Sequence, residues 1–376
     1  MRKKTRLIHG GNGMDKHVGA LSPPIYQSST FKQEGVGNFT YEYSRTGNPT
    51  RETLESLIAD IEKGKNGFAF ASGMAAITAV MDLFHSGDHL VITDDVYGGT
   101  YRFLTKILNR RQIDVSFVDT SRLDRVRKNI HPETKAIFIE TPTNPLLKIT
   151  DIAAIADIAK EKELLLIVDN TFTTPYWQTP IKLGANIVVH SATKYLGGHS
   201  DLVAGLVVTD DEKRGEDIHF IQNATGGVLA PHDSWLLTRG IRTLGVRMEE
   251  IENNTKKVAD FLDGHPQVGK VYYPGFFTHP NHSIHAKQSS GFGGMLSFTV
   301  KSEEKALNVL RKVKYFTLAE SLGAVESLIS LPAKMTHASI PRDRRLELGI
   351  EDGLIRVSVG LEDAEDLIED LNQALQ

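Results

Sequence analysis

Short apolar runs separated by segments of helical spacing fill the chain from about residue 50 to 210. The runs at 68–70, 89–93, 115–118, 136–139, 164–168 and 187–189 are rich in Val, Ile, Leu and Phe and bounded by turn residues. Runs of that kind read as buried strands. A further strand is expected at 202–208. Between them, Leu54, Leu57, Ile58 and Ile61 recur on one helical face, with Thr50 as the expected N-cap and Gly64 placed to end the helix. A second helix is expected from Ser72-Gly73-Met74 through Phe84, a third over 151–162, and a long amphipathic one over 240–262. Strands alternating with helices predict an α/β fold: a mostly parallel sheet, helices on both faces, and ligands at the carboxyl ends of the strands.

The first 48 residues lack this pattern. Gly10, Gly11 and Ser22-Pro23-Pro24 forbid long regular elements and predict an irregular arm. Its aromatics (Tyr26, Phe31, Phe39, Tyr41, Tyr43) are expected to pack on something. At 376 residues the chain is long for one compact domain. The expected division is an arm at 1–48, a large domain at 49–240 and a smaller C-terminal α/β domain at 241–376.

Two strand ends carry the candidate chemistry. The run at 187–189 leads into Ser191-Ala192-Thr193-Lys194 and then a glycine-containing loop, while the run at 164–168 ends in Asp169. Alone, Lys194 reads as a lysine snorkelling from a sheet edge, and Asp169 as a turn or capping residue. Together they suit pyridoxal 5′-phosphate (PLP), bound as a Schiff base to Lys194 with Ser191 and Thr193 near its phosphate. Asp169 would keep the ring nitrogen protonated, which makes the ring an electron sink. Gly73 and Met74 open a helix after a strand, where bare amides and the helix dipole favour phosphate. Tyr97 follows the strand at 89–93, and Arg356 interrupts an otherwise apolar run at 354–359. Arginine is the natural bidentate partner of a carboxylate. A core tyrosine and a buried structural ion pair are the plainer readings of those two positions.

The stretches 41–50 (Tyr-Glu-Tyr-Ser-Arg-Thr-Gly-Asn-Pro-Thr), 168–172 (Val-Asp-Asn-Thr-Phe) and 191–195 (Ser-Ala-Thr-Lys-Tyr) occur in that order. In this the chain resembles the cysteine/methionine-metabolism family of PLP enzymes, which includes cystathionine γ-lyase, cystathionine β-lyase, cystathionine γ-synthase and methionine γ-lyase. The resemblance runs from Leu7 to the C-terminus. It implies the aspartate-aminotransferase-like fold (fold type I), with Tyr97 stacked on the PLP ring and relaying protons, and Asn144 bonded to the PLP 3′-oxygen. It also implies Arg356 on the substrate α-carboxylate, the loop with Glu320 and Ser321 on the substrate side, and a homotetramer of two active dimers. In such dimers, Tyr43 and Arg45 reach the phosphate in the neighbouring subunit. Glu320 and Glu42 fit the γ-lyase and γ-synthase pattern, in which an acid binds the distal ammonium of cystathionine. Gly99 stands where methionine γ-lyases carry cysteine. The implied activity is γ-elimination of L-cystathionine to cysteine, 2-oxobutyrate and ammonia. β-Elimination and γ-replacement on an activated homoserine ester are the alternatives. A non-catalytic scaffold on the same fold is disfavoured by the intact Lys194, Asp169, Tyr97 and Arg356.

Charge and composition narrow the picture further. The net charge of −4 with no basic tract argues against nucleic acid as the main partner. The chain has no cysteine, which excludes disulfides, thiol nucleophiles and Cys-based zinc sites and fits a reducing, cytoplasmic setting. No apolar run approaches membrane-spanning length, and no apolar stretch follows the basic first residues as a secretory signal requires. His279, His282 and His285 cluster in a Pro/Asn-rich stretch without an acidic partner, so a solvated loop is expected rather than a metal site. Gly291-Phe292-Gly293-Gly294 lacks the dinucleotide fingerprint and precedes a strand-like run, so a Rossmann dehydrogenase is excluded.

Overall fold

The computed structural model describes every residue except Gly13, Met14, Lys16 and Ser339; the side chain of Asn12 also lies outside the description. Gly13 belongs to the glycine stretch of the expected arm. Seven strands form the first sheet: β1 (Asn66–Phe70), β2 (His89–Thr93), β3 (Asp114–Val118), β4 (Thr134–Glu140), β5 (Leu165–Asp169), β6 (Ile187–Ser191) and β7 (Gly205–Thr209). Their spatial order is β1-β7-β6-β5-β4-β2-β3. Only β7 runs against its neighbours, β1 and β6. Side chains alternate between two buried faces as the pleat requires. Val91, Ile137, Ile139, Leu166, Val168 and Val188 enter one core, and Leu90, Ile92, Phe138, Ile167, Ile187 and Val189 the other. Burial on both faces explains why these strands read as continuous apolar runs.

A second sheet is built from β8 (Val268–Tyr272), β9 (Met295–Val300), β10 (Thr317–Leu318), β11 (Leu328–Ser330) and β12 (Leu354–Ser358), in the order β10-β11-β12-β9-β8. Its core joins Leu296, Phe298, Ile329, Ile355 and Val357 to Leu367 and Leu371 of the C-terminal helix Ala364–Leu375. The helix Leu244–Asp263 serves both cores. Leu244, Met248 and Ile251 pack with the first sheet's core, and Val258, Ala259 and Leu262 with the second.

Several expectations are corrected. The helix Pro49–Glu62 is capped by Asn48, whose side chain accepts from the amides of Thr50 and Arg51; Thr50 instead bonds the Pro24 carbonyl. That helix ends on Lys63 in the left-handed region. Gly64 follows it pressed against β7, where a Cβ would lie 2.2 Å from Val208 Cγ1. The helix expected to reach Phe84 stops at Met81. The single helix expected over 240–262 is broken at Thr243 into Pro231–Arg242 and Leu244–Asp263. The arm is not wholly irregular. Lys3–His9 is helical, buries Leu7 and is tied down by Lys3, which donates to the Tyr176 carbonyl. The histidine stretch is not a solvated loop. His282–Gln288 is a short helix, His279 and His285 are buried, and His282 stacks on Phe292. Among the described residues, no group of His, Cys, Asp or Glu is arranged to hold a metal. No described helix is long and apolar enough to cross a membrane.

Candidate active site

A cavity of about 420 Å³ opens at the carboxyl ends of β4, β5 and β6, closed on one side by the second sheet. Lys194 enters it from the turn that follows β6, with its amide bonded to the Ser191 carbonyl. Its neighbour Tyr195 is fully buried and fixes the turn. Gly323, at φ +78°, brings the substrate-side loop against this turn, and a Cβ there would lie 2.7 Å from the Tyr195 nitrogen. Only glycine meets both demands. Lys194 Nζ donates to Ser321 Oγ at 2.8 Å. Ser321 holds φ +103°, a non-glycine conformation that costs about 1–3 kcal/mol and persists only where its surroundings enforce it.

Arg356 is one such enforcer. It is 3% exposed on β12, donates from Nη2 to the Ser321 carbonyl at 2.9 Å and from Nη1 to Asn144 Oδ1 at 3.0 Å. No carboxylate pairs with it among the described residues, so the structural ion-pair reading fails. A buried guanidinium held only by neutral acceptors is ready for an incoming carboxylate. Burial pulls its pKa down to about 10. Burial also lowers Lys194 to about 8, with the Arg356 cation adding to the effect and Glu320, at the cavity rim, opposing it.

Asp169, at the end of β5, accepts from Thr171 Nα–H (3.0 Å) and Thr171 Oγ1–H (2.6 Å). Burial raises its pKa, and the Thr171 bonds and nearby His190 counteract this. Tyr97 stands at the mouth, 41% exposed, with its amide bonded to Glu140 Oε2 at 2.9 Å. Its ring lies over Gly99, where a Cβ would come within 2.4 Å of Tyr97 Cε1. Ser72 caps the helix Gly73–Met81 by accepting from Ala75, leaving Gly73 and Met74 as first-turn residues that line the cavity. Gly73 abuts Ser191, whose Cβ would be 2.9 Å from a Cβ at 73. Ser191 and Thr193 also line the cavity; the Thr193 hydroxyl is already exchanged with the Ala204 backbone.

The cavity thus gathers Gly73, Met74, Tyr97, Asn144, Asp169, Ser191, Thr193, Lys194, Glu320, Ser321 and Arg356. Glu42, Tyr43 and Arg45 do not line it. They are exposed on the arm, with Arg45 donating to the Asn223 carbonyl and lying over the Tyr43 ring. Sequence reasoning missed Thr171, His190 and Glu140. Glu140 carried the same signal as Asp169, an acid at the end of an apolar strand.

The residues present fit PLP. A lysine with a depressed pKa, a carboxylate held by two hydrogen bonds, a helix start and an unpaired arginine share one cavity of cofactor size. Fold and site together define a PLP-dependent α/β enzyme. A family profile described as Cys/Met metabolism PLP-dependent enzyme matches residues 4–376, and the chain belongs to that family. It is 65% identical to the cystathionine gamma-lyase of Bacillus subtilis, covering 100% of each chain. It is 57% identical to a cystathionine beta-lyase of Lactococcus lactis subsp. cremoris, over 99% of this chain and 98% of that one. Among solved structures it superposes on a cystathionine gamma-lyase from Lactobacillus plantarum complexed with L-serine. That match has a TM-score of 0.97 and 52% identity, covering 100% of this chain and 98% of the other.

Proposed function

We propose that this chain is a carbon–sulfur lyase that cleaves L-cystathionine by γ-elimination to cysteine, 2-oxobutyrate and ammonia. The observation that carries the reading is Arg356, a buried guanidinium without an acid partner among the described residues, lining the same cavity as Lys194. The identity to the Bacillus subtilis cystathionine gamma-lyase supports the choice of substrate. In this reading, Lys194 holds the cofactor, Gly73, Met74 and Ser191 cradle its phosphate, and Asn144 faces its 3′-oxygen. When bound, PLP supplies an electron sink for the charge left at Cα. Arg356 binds the α-carboxylate and so fixes which Cα bond faces Lys194. Lys194 Nζ, once free, takes the Cα proton; its lowered pKa keeps a usable fraction neutral near pH 8. Asp169 holds the proton on the ring nitrogen. Lys194 takes the Cβ proton in its turn, having released the first, and Tyr97 or Lys194 returns a proton to the departing sulfur. Glu320 at the rim meets the distal ammonium of the substrate.

The arm belongs to the same proposal. Leu21, Ile25, Tyr26, Phe39 and Tyr43 are apolar or aromatic and exposed. A patch of that kind marks an interface. It suits an assembly in which Glu42, Tyr43 and Arg45 complete the cavity of a neighbouring copy; the proposed assembly is a homotetramer, and the proposed location the cytoplasm. The assay is product analysis with purified holoenzyme. Cysteine with 2-oxobutyrate supports γ-cleavage. Homocysteine with pyruvate moves the chain to β-cleavage, and cystathionine formed from cysteine and an activated homoserine ester moves it to γ-replacement.

A further inference from the structure

Glu140 is 5% exposed, lines the cavity and has no place in the mechanism above. It is the β4 residue paired across from Asp169 of β5 in the parallel register. Neighbouring strands run about 4.8 Å apart, so two carboxyl groups of adjacent strand ends share one buried corner. Asp95, buried after β2 and bonded to Thr143 Oγ1 at 2.8 Å, stands on the other flank. Two like charges so placed cannot both ionise freely. Each carboxyl accepts hydrogen bonds, so the neighbouring groups decide which one does. Asp169 accepts two bonds from Thr171 and has the His190 ring near it. Glu140 accepts from the Tyr97 amide, has the Asn144 backbone as a second hydrogen-bonding neighbour, and faces carboxyl groups on both sides. The anion therefore belongs on Asp169 and the proton on Glu140. Burial, reinforced by Asp169 and Asp95, raises the Glu140 pKa well above the carboxylate range.

One buried side chain thus bonds the Tyr97 amide, lies close to the Asn144 backbone and pairs across the register with Asp169, three groups that line the cavity from three different strand ends. We propose that Glu140 is a positioning residue: as a neutral carboxylic acid it sets the placement of Tyr97 and leaves the negative charge of the strand-end pair on Asp169. The inference rests on the reading of the cavity as the PLP site and adds to it a protonated acid that takes no part in the bond-breaking steps.

The test compares Glu140→Gln with Glu140→Ala. Glutamine keeps the neutral charge and the acceptor toward the Tyr97 amide. The Gln variant is expected to hold kcat/KM within about threefold of wild type, with the pH midpoint of the bound cofactor's absorbance unmoved. The Ala variant loses PLP affinity by roughly tenfold or more, because the Tyr97 amide is left without its acceptor. An infrared difference spectrum, wild type minus Glu140→Gln, is expected to show a protonated-carboxyl C=O band. The inference is overturned if that band is absent, or if Gln moves the absorbance midpoint by more than about one pH unit, as loss of a charge so close to Asp169 requires. A Gln variant as damaged in PLP binding as Ala overturns it as well. Should the protein take up no PLP at all, the cofactor reading fails, while the infrared band still decides where the proton on Glu140 stands.

Discussion

Replacing Arg356 with glutamine separates a substrate-binding arginine from a structural one. The guanidinium is held by Asn144 Oδ1 and the Ser321 carbonyl, with no carboxylate partner among the described residues. A substrate carboxylate would make two charge-assisted bonds to it, each worth about 1.5–3 kcal/mol. Glutamine retains one neutral bond worth about 1 kcal/mol, so the loss is about 2–5 kcal/mol, or roughly 30- to 5,000-fold in kcat/KM for cystathionine. Stability moves little. The two acceptors lose about 1 kcal/mol each, and removing an unpaired buried charge offsets part of that. The assay is steady-state kinetics alongside the absorbance of bound PLP and the melting temperature. A variant with kcat/KM within threefold of wild type refutes the reasoning. So does one that melts far below wild type while keeping its activity, since that is how a structural arginine behaves.

Two further substitutions test the site from other sides. In the cofactor-stripped protein, the Lys194 pKa falls from 10.5 to about 8 on folding, so the charged form is disfavoured in the fold. That cost is fully present below pH 8 and vanishes as pH rises toward 10.5, because the unfolded chain then binds no more protons than the native one. Lys194→Met is therefore expected to stabilise the stripped protein near pH 7 by up to ~3 kcal/mol, to lose this advantage above pH 10, and to abolish turnover; denaturant unfolding at both pH values checks it. Gly99→Ala sets a Cβ against the Tyr97 ring, which is free to swing outward. It is expected to lower kcat about tenfold or more by misplacing the ring, with the melting temperature unchanged or slightly raised by the better helix former; a melting temperature that falls along with kcat counts against the ring-displacement account.

Most of the large sheet was legible because its strands are buried on both faces and leave unbroken apolar runs. The positions of Lys194 and Asp169 followed from where those runs stop. The order of strands did not follow. Nothing local in 205–209 tells that β7 runs antiparallel. The break at Thr243 is likewise a long-range matter. Gly240 packs against the loop beyond Lys194, where a Cβ would lie 2.5 Å from the Gly197 carbonyl, and Arg247 bonds the Gly240 carbonyl. At the helix Pro49–Glu62, Asn48 and Thr50 are both competent caps, and the Pro49 between them marks the first helical position, which favours Asn48. The histidine stretch looked polar, yet the rings of His279 and His285 are buried, the latter against Phe292. Glu140 ends an apolar strand just as Asp169 does, but its place across from Asp169 at the cavity wall depends on long-range strand pairing.

The central claim is that the cavity around Lys194 is where the cofactor is held. Borohydride reduction of the purified holoenzyme, followed by peptide mass mapping, tests it directly. The account predicts a phosphopyridoxyl group on the peptide containing Lys194 and on no other, and no such group in Lys194→Ala. A label on any other lysine, or none in protein that carries the cofactor's absorbance, contradicts it.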